Sequence, residues 1–215
     1  SDGIAPYEGM MLDLPDGTVL YSHFGADLYV YQPDGPPLAA AKPAISNIVV
    51  NADGSYTLTG TLLNGISAGA VYGDDAQMDS NYPLVRVTNS IGNVYYERTY
   101  NWNSTSVMTG NKLITTRFTN SAALPPGNYS LVVVANGVSS DAWNFIIPPT
   151  LNISLSDGAV VLSWPTNLPG FSLESTTNLA SDTWSTNLTQ PAIANGQNVV
   201  TNPVSDLQMF FRLGQ

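Results

Sequence analysis

The stretch LPPGNYSLVVVANGVSSDAWNFII, residues 124–147, decides the fold class of this chain. Its segment SLVVVA, at 130–135, is apolar after the serine, and such a run predicts a strand that is covered on both faces. Asn136 and Gly137 follow and predict a tight turn of type I′ or a related type, because both residues tolerate positive φ. The last residues, AWNFII, predict a further strand. The stretch therefore indicates an all-β fold with a buried central strand.

The same alternation of short strands and turns extends over residues 44–148. Strands are predicted in AISNIVV and SYTLTG, on either side of a turn at Asp53 and Gly54. YPLVRVTN and IGNVYYERTYNW predict a hairpin whose turn spans 89–93, and LITTRF predicts one strand more. Short strands separated by Gly, Pro and Asn turns are typical of a β-sandwich. We therefore predict a β-sandwich over residues 44–148.

Two flanking segments predict further strands. MMLDL, TVLYSHF and LYVYQP predict a three-stranded meander, with a PDG turn at 15–17, that ends in a Pro- and Gly-rich linker. After Pro148 and Pro149, the chain again has short strands, including AVVLSWP, in which Trp164 is the expected core anchor. The predicted organisation is a meander and linker over 1–43, a sandwich over 44–148 and a smaller sandwich over 149–215.

The composition excludes several classes of function. Among 215 residues, 16 are acidic and 6 are basic, which gives a net charge of −10, and the basic residues are scattered along the chain. Nucleic-acid binding requires a basic stripe, so we expect no nucleic-acid partner. The chain has no cysteine and therefore neither disulfides nor a cysteine nucleophile. Since no apolar run approaches the roughly 20 residues that cross a bilayer, we expect no membrane insertion.

Three segments resemble parts of known secreted proteins. LDLPDGTVLYSHFGADLYVYQP resembles the last blade strands of a kelch propeller of the galactose-oxidase group. YGDDAQMDSNYPLVRV, LPPGNYSLVVVANGVSS and AWNFII resemble the immunoglobulin-like early-set (IPT/TIG-like) domain that follows such propellers. LSWP, FSLESTTNL and FFRL are similar to a small fibronectin-III-like module of secreted bacterial proteins. The resemblance implies an extracellular or cell-surface protein and an upstream propeller in a larger protein.

The resemblance also implies where a copper ligand would lie. In the copper-radical oxidases of that group, the loop that corresponds to 72–87 carries a histidine ligand, and Gln77 stands at its place here. A glutamine amide is a poor ligand for Cu(II), which favours imidazole. The chain has one histidine, His23, which is too few for such a site. We therefore expect this chain not to be an enzyme.

The loop at 72–81 also contains Asp74, Asp75 and Asp79. Carboxylates at this density could hold Ca²⁺, and these three are the metal-site candidates, although their spacing does not match an EF-hand loop. The alternative is a solvated loop whose aspartates cap backbone N–H groups. This alternative is the favoured interpretation, so no cofactor is expected and Ca²⁺ is the one ion to test.

Aromatic residues are concentrated in one predicted hairpin and its exit. Tyr96, Tyr100 and Trp102 are the ligand-binding candidates, because exposed aromatic faces stack on sugar rings. Tyr95 and Tyr96 cannot both be in the core, since neighbours on a strand point to opposite faces. The alternative is cross-strand packing, which stabilises a sheet by about 0.2–1 kcal/mol for each pair.

The leading functional hypothesis is a non-catalytic extracellular region for binding or scaffolding, with polysaccharide as the expected ligand. One alternative is the accessory C-terminal part of a galactose-oxidase-like enzyme whose catalytic propeller is absent from this sequence. Another is a structural surface or adhesion module. Carboxylates that might pair for glycoside hydrolysis, such as Glu97 and Glu174, have no sequence feature that brings them together.

Overall fold

A computed structural model describes residues 9–23, 25–67, 82–120, 123–180, 183–187, 189–204 and 208–215. Within these ranges the chain is all-β, as predicted: 18 strands form antiparallel sheets, and the one helical element is a short 3₁₀ turn at Ala39–Ala41. No helix in this part of the chain has the length and apolar character needed to span a membrane. The described residues divide into two compact units, one within 1–124 and 129–145 and the other within 125–128 and 146–215.

The first unit begins with a three-stranded antiparallel meander in the order β1-β2-β3. Its strands are β1 (Met10–Asp13), β2 (Val19–Ser22) and β3 (Leu28–Tyr31). The PDG turn between β1 and β2 is closed by two backbone hydrogen bonds, from the Leu14 N–H to the Thr18 carbonyl and from the Gly17 N–H to the Leu14 carbonyl, and Gly17 has a φ of 88°. Both β1 and β3 are exposed along their whole length.

The rest of the first unit contains eight strands in a sheet of order β10-β9-β6-β7-β8-β5-β4, with β11 paired to β9. These strands are β4 (Ala44–Val50), β5 (Tyr56–Thr61), β6 (Leu84–Thr88), β7 (Val94–Tyr100), β8 (Ile114–Phe118), β9 (Gly127–Ala135), β10 (Val138–Ser139) and β11 (Trp143–Ile147). Strand β7 joins two halves of this sheet, because its first part pairs with β6 and its last two residues pair with β8. The hairpin predicted across 89–93 is confirmed.

Apolar side chains on alternate positions of these strands form the core of the first unit. The least exposed of them are Leu58, Val85, Val87, Ile114, Phe118, Leu131 and Val133, and Leu63 in the turn after β5 joins them. The ring of Tyr56 packs between those of Phe118 and Phe145, with centroid separations of 5.0 and 4.9 Å. All residues at 131–135 are buried, so the prediction of a strand covered on both faces is confirmed. Asn136 and Gly137 have φ values of 48° and 71°, as a type I′ turn requires.

The meander contacts this sheet through two turns. The β1–β2 turn approaches the β9–β10 turn so closely that a Cβ atom on Gly137 would lie 3.0 Å from the Gly17 Cα atom and 3.2 Å from the Leu14 carbonyl oxygen. Only glycine fits such an approach of two backbones. The contact fixes one end of the meander on the larger sheet.

The second unit contains two sheets, in the orders β12-β13-β17-β16 and β15-β14-β18. Their strands are β12 (Asn152–Ser156), β13 (Ala159–Pro165), β14 (Ser172–Thr176), β15 (Ser185–Thr186), β16 (Ala192–Ala194), β17 (Gln197–Pro203) and β18 (Phe210–Gly214). Leu162, Trp164, Leu173 and Val200 form their shared core. Trp164 is 2% exposed, so its predicted role as a core anchor is confirmed.

Candidate functional site

Two aromatic rings stack at one end of the larger sheet. Tyr82 lies just before β6, Trp102 lies just after β7, and their ring centroids are 3.9 Å apart with planes inclined by 11°. The tyrosine side of the pair is accessible, because Tyr82 is 41% exposed, while Trp102 is half-buried. The arrangement presents a flat aromatic surface that is backed by a second ring.

Hydrogen bonds hold Trp102 in this position. Asn101 has a φ of 52°, a left-handed conformation that asparagine tolerates, and it turns the chain out of β7. The indole Nε1 of Trp102 then donates to Thr99 Oγ1 at 2.9 Å, and this hydroxyl donates to the Pro83 carbonyl at 2.6 Å. Because Pro83 is the neighbour of Tyr82, the buried Thr99 ties both halves of the stack together.

A narrow cleft of about 50 Å³ lies beside Tyr82. Its polar lining comes from Asp13 at the end of β1 and from Asn136 in the β9–β10 turn, and its apolar lining includes Leu14 and Leu84. A volume of this size holds about one or two water molecules or a small exocyclic group, not a sugar ring. A ring-shaped ligand at this site would therefore lie on the Tyr82 face, with its polar edge towards Asp13 and Asn136.

The other aromatic candidates lie elsewhere on β7. Tyr96 is 47% exposed and stands opposite Arg86, and Tyr100 is half-buried opposite Arg117. Tyr96 and Tyr100 are four residues apart on the same face of the strand, a separation of roughly 13 Å. Among the described residues, the ring that stacks on Trp102 is Tyr82, a residue that the aromatic pattern of the hairpin did not single out.

The guanidinium beside Tyr100 is already engaged. Arg117 lies 6.0 Å from the centroid of the Tyr100 ring, and its Nη2 donates to both carboxylate oxygens of Asp53, at 2.9 and 2.7 Å, and to the Ser55 hydroxyl. The hydrogen bond from the Ser55 hydroxyl, followed by that from the Ser55 backbone and by Arg117, lowers the pKa of Asp53 to about 2. This network closes the β4–β5 turn onto β8 and is a structural feature of the sheet.

The remaining candidates have structural surroundings or lie outside the described residues. Glu97 is buried on the inner face of β7 opposite Val85, and Glu174 accepts a hydrogen bond from Arg212 at 2.6 Å. His23 stacks on Tyr29 with centroids 6.1 Å apart. Asp74, Asp75, Asp79 and Gln77 fall in 68–81, outside the described residues. Elsewhere in the described chain, no three His, Cys, Asp or Glu side chains are close enough to hold a metal ion.

The second unit has a larger concavity of its own. A groove of about 440 Å³ is lined mainly by hydroxyl and amide side chains, namely Ser175, Thr186, Asn187, Thr189 and Asn202, with Pro203 and Met209. Its volume suits a small ligand, but the described residues of its lining include no aromatic ring for one to stack on. It therefore serves as the comparison site for the aromatic pair.

The chain was also compared with known proteins. It matches no model of a known protein family, and no curated protein matches it significantly. The geometry of the aromatic pair is therefore the basis for a proposal about function.

Proposed function

We propose that this chain is a non-catalytic extracellular region for binding and scaffolding, and that it binds polysaccharide on the stacked pair of Tyr82 and Trp102. The observation that carries the proposal is the 3.9 Å stack with its accessible Tyr82 face. Sugar rings present C–H groups that pack on aromatic faces, and a sugar site combines such a face with a few polar groups. Asp13 and Asn136 supply those polar groups beside Tyr82.

The support beneath the ring favours binding over simple exposure. The Tyr82 ring is already stacked on Trp102, and Thr99 holds Trp102 by a hydrogen bond. The ring therefore loses little conformational entropy when a ligand binds to it. Tyr96, by contrast, is equally exposed but stands on the open face of a strand. The two tyrosines therefore differ in how firmly their rings are held, and we expect this difference to set their affinities.

The architecture that we propose for this function is an immunoglobulin-like early-set sandwich over 44–148 and a fibronectin-III-like sandwich over 149–215. Support for the first comes from its antiparallel strands around the core strand β9. Support for the second comes from two small sheets that share a core around Trp164. Domains of this kind in secreted proteins present binding surfaces on a rigid scaffold, which agrees with a binding role.

The experiment is a binding screen of the whole chain against soluble and insoluble neutral polysaccharides, with tryptophan fluorescence as the second readout. We expect saturable binding that weakens about tenfold in Tyr82→Ala, because one aromatic contact contributes roughly 0.5–1.5 kcal/mol beyond the area it buries. Tyr96→Ala is the matched control, since it removes an equally exposed ring and should leave affinity unchanged.

Three results would contradict the proposal. They are the absence of binding to every polysaccharide tested, equal affinity in Tyr82→Ala and the parent chain, and loss of binding in Asn202→Ala, which would place the ligand in the groove of the second unit. Repeating the screen with and without Ca²⁺ tests the aspartate loop separately. A Ca²⁺-dependent increase in melting temperature would show that the folded chain binds the ion, because a ligand that binds only the folded state stabilises it, and loss of this increase in Asp75→Asn would assign the ion to the loop.

A further inference from the structure

Strand β12 of the second unit carries two apolar side chains on the core face of its sheet. The register places Ile153 opposite Leu162 of β13, and Leu155 opposite Val160. Directly opposite residues of an antiparallel pair point to the same face, and Leu162 belongs to the core of the unit. The remaining residues of β12, which are asparagine and serine, therefore occupy the outer face.

These two apolar side chains are nevertheless exposed. Ile153 is 63% exposed and Leu155 is 72% exposed, whereas Leu162, on the same face of the neighbouring strand, is completely buried. In a sandwich, the side chains on the two inner faces interdigitate and cover one another. The facing sheet therefore covers β13 and does not extend beneath β12.

The strand order explains why β12 is uncovered. Its sheet has four strands, and the facing sheet has three. β17 lies over β14 and β15, because Asn202, Ser175 and Thr186 of these strands line one groove. β13 lies over β14 and β18, since residues of all three strands pack in one core. β12 is the next strand outward, so it lies over the space beside β18.

The edge of β18 that borders this space is open. β18 (Phe210–Gly214) pairs with β14 on one side, and no strand in the described part of the chain pairs with its other edge. An edge strand presents N–H and C=O groups on which a further strand can pair. Adjacent strands lie about 4.8 Å apart, so one added strand would lie beneath Ile153 and Leu155. We call this space, bounded by the open edge of β18 and by these two side chains, the strand slot.

We propose that the strand slot binds an extended peptide segment of a partner protein, with apolar side chains at alternate positions and basic residues at its ends. In this mode of binding, which is β-strand addition, hydrogen bonds to the open backbone provide affinity and alternate side chains provide specificity. The backbone of β18 requires an extended chain, and the two side chains of β12 require apolar residues with a period of two. Both sides of the slot therefore specify the same occupant.

The charge of the second unit favours basic ends on this peptide. Asp157 is exposed in the turn after β12, and it forms no ion pair with another described residue. Arg212 is already paired with Glu174 at 2.6 Å. The charged residues within 125–128 and 146–215 are four acidic and one basic, namely Asp157, Glu174, Asp182, Asp206 and Arg212. A lysine at the end of the peptide therefore finds an acidic surface and a carboxylate next to the end of β12.

A second copy of the chain fits the slot less well. If β18 paired with β18 of another copy, β12 of each copy would lie over the β18 of the other, where that copy's own β13 already lies. The net charge of −10 on each chain also opposes self-association. The slot therefore accepts a single strand and excludes a second sandwich.

The experiment titrates the whole chain into a fluorescently labelled synthetic peptide, Lys-Thr-Val-Thr-Val-Thr-Val-Thr-Lys, and follows its anisotropy. The control peptide has the same composition in the order Lys-Val-Val-Thr-Thr-Thr-Thr-Val-Lys, in which no two valines are two positions apart. We expect saturable binding of the alternating peptide and binding at least about tenfold weaker of the control, because the control cannot cover both side chains of β12. Hydrogen exchange of the β18 amides should slow in the first complex alone.

Two matched variants place the peptide on the chain. Leu155→Ser removes one apolar side chain of the slot and should weaken binding about tenfold. Ile193→Ser is the control, since Ile193 is 76% exposed on β16, the strand at the opposite edge of the same sheet, and its affinity should not change. Both side chains are exposed, so both variants should stay folded, and circular dichroism checks this.

Joining the alternating peptide to Gln215 through a flexible linker rich in Gly and Ser raises its effective concentration to the millimolar range. We expect this joined form to melt at a higher temperature than the chain joined to the control peptide. The proposal fails if neither the free nor the joined peptide slows exchange in β18, or if the control peptide or Leu155→Ser binds equally well.

Dimers that protect β18 without peptide, detected by sedimentation equilibrium, would assign the edge to a second copy and would also overturn the proposal. The polysaccharide screen at Tyr82 concerns the first unit, so either proposal can fail without the other.

Discussion

Strands β3 and β9 have similar apolar sequences and opposite environments. In β9, every residue of LVVVA at 131–135 is buried, whereas every residue of LYVY at 28–31 in β3 is exposed. β9 lies inside its sheet, with β6 on one side and β10 and β11 on the other. β3 lies at the edge of a three-stranded sheet, and all four of its residues are exposed in the part of the chain that the structure describes. An apolar strand sequence therefore indicates side chains that favour burial, and the tertiary structure decides whether other parts of the same chain bury them.

A turn in the meander, between β1 and β2, and a turn in the larger sheet, between β4 and β5, are built alike and differ in one hydrogen-bond partner. Asp16 accepts hydrogen bonds from the backbone and hydroxyl of Thr18, and Asp53 accepts the same two bonds from Ser55. Asp53 also accepts two bonds from Arg117 on a distant strand. The local sequence makes both turns, and in the larger sheet the aspartate of the turn gains a guanidinium from a distant strand as well.

The largest difference between the two regions should appear when a leucine is truncated in each. Leu131→Ala removes a fully buried side chain, and we expect it to lower the free energy of unfolding by about 2–5 kcal/mol. Leu28→Ala removes an exposed one and should change it by about 0.5 kcal/mol or less. Urea denaturation at low protein concentration measures both. Equal losses would show that the meander is covered within a single chain.

The next difference concerns the point where the meander meets the larger sheet. Gly137→Ala introduces a Cβ atom at a φ of 71° and 3.0 Å from the Gly17 Cα atom, so it suffers both backbone strain and a clash. Gly54→Ala is the matched control: its φ is 79°, and no described atom lies within 4 Å of the added Cβ.

We expect backbone strain of about 1–2 kcal/mol in both glycine variants and a further loss of about 1–3 kcal/mol in Gly137→Ala alone. The measurement is the difference between their urea midpoints, together with hydrogen exchange of the β1 and β2 amides. Identical midpoints and unchanged exchange would mean that the two turns do not stabilise one another.

The smallest difference should appear in the pH dependence of the two aspartate turns. The pKa of Asp53 is lowered from 3.8 to about 2, and that of Asp16 is lowered mainly by the Thr18 hydroxyl. Because a depressed pKa in the folded state means that the ionised form stabilises the fold, this contribution is complete above pH 3.8 and is lost as the pH falls towards 2. We expect Asp53→Asn to reduce the acid-dependent loss of unfolding free energy more than Asp16→Asn does.

Urea midpoints measured between neutral pH and pH 2 test this order. Both aspartates are exposed, so we expect both effects to be small and to decrease when salt is added. Arg117→Gln should reproduce part of the change in pH dependence that Asp53→Asn causes, and it should leave the contribution of Asp16 unchanged. A larger effect of Asp16→Asn than of Asp53→Asn would contradict the expected order, and an unchanged pH dependence in Arg117→Gln would show that Arg117 does not contribute to the turn.

Much of the local structure could be predicted because it depends on neighbouring residues. The meander strands, the hairpin across 89–93 and the Asn136–Gly137 turn all occur where the sequence placed them. Strand β16, over Ala192–Ala194, was missed, since a segment of three residues is too short to show a period of two. The kelch, immunoglobulin-like and fibronectin-III-like resemblances stay predictions.

The candidate site was only half predictable. Trp102 was named from its place at the exit of an aromatic hairpin, but its partner, Tyr82, lies twenty positions earlier, before a different strand. The pairing of β6 with β7 and the hydrogen bonds through Thr99 bring the two rings together. No local pattern encodes such a contact, because it depends on the register between strands and on the left-handed turn at Asn101.

The sequence by itself determined that this chain folds as short antiparallel strands, that it is acidic overall and that it contains a single histidine. These properties depend on residue type, on a period of two and on turn residues, all of which are local. Only the tertiary structure decided which apolar strands are covered, which aromatic rings stack and which aspartate gains a guanidinium. Those outcomes depend on contacts between residues far apart in the chain, and the geometry of the assembled sheets alone sets them.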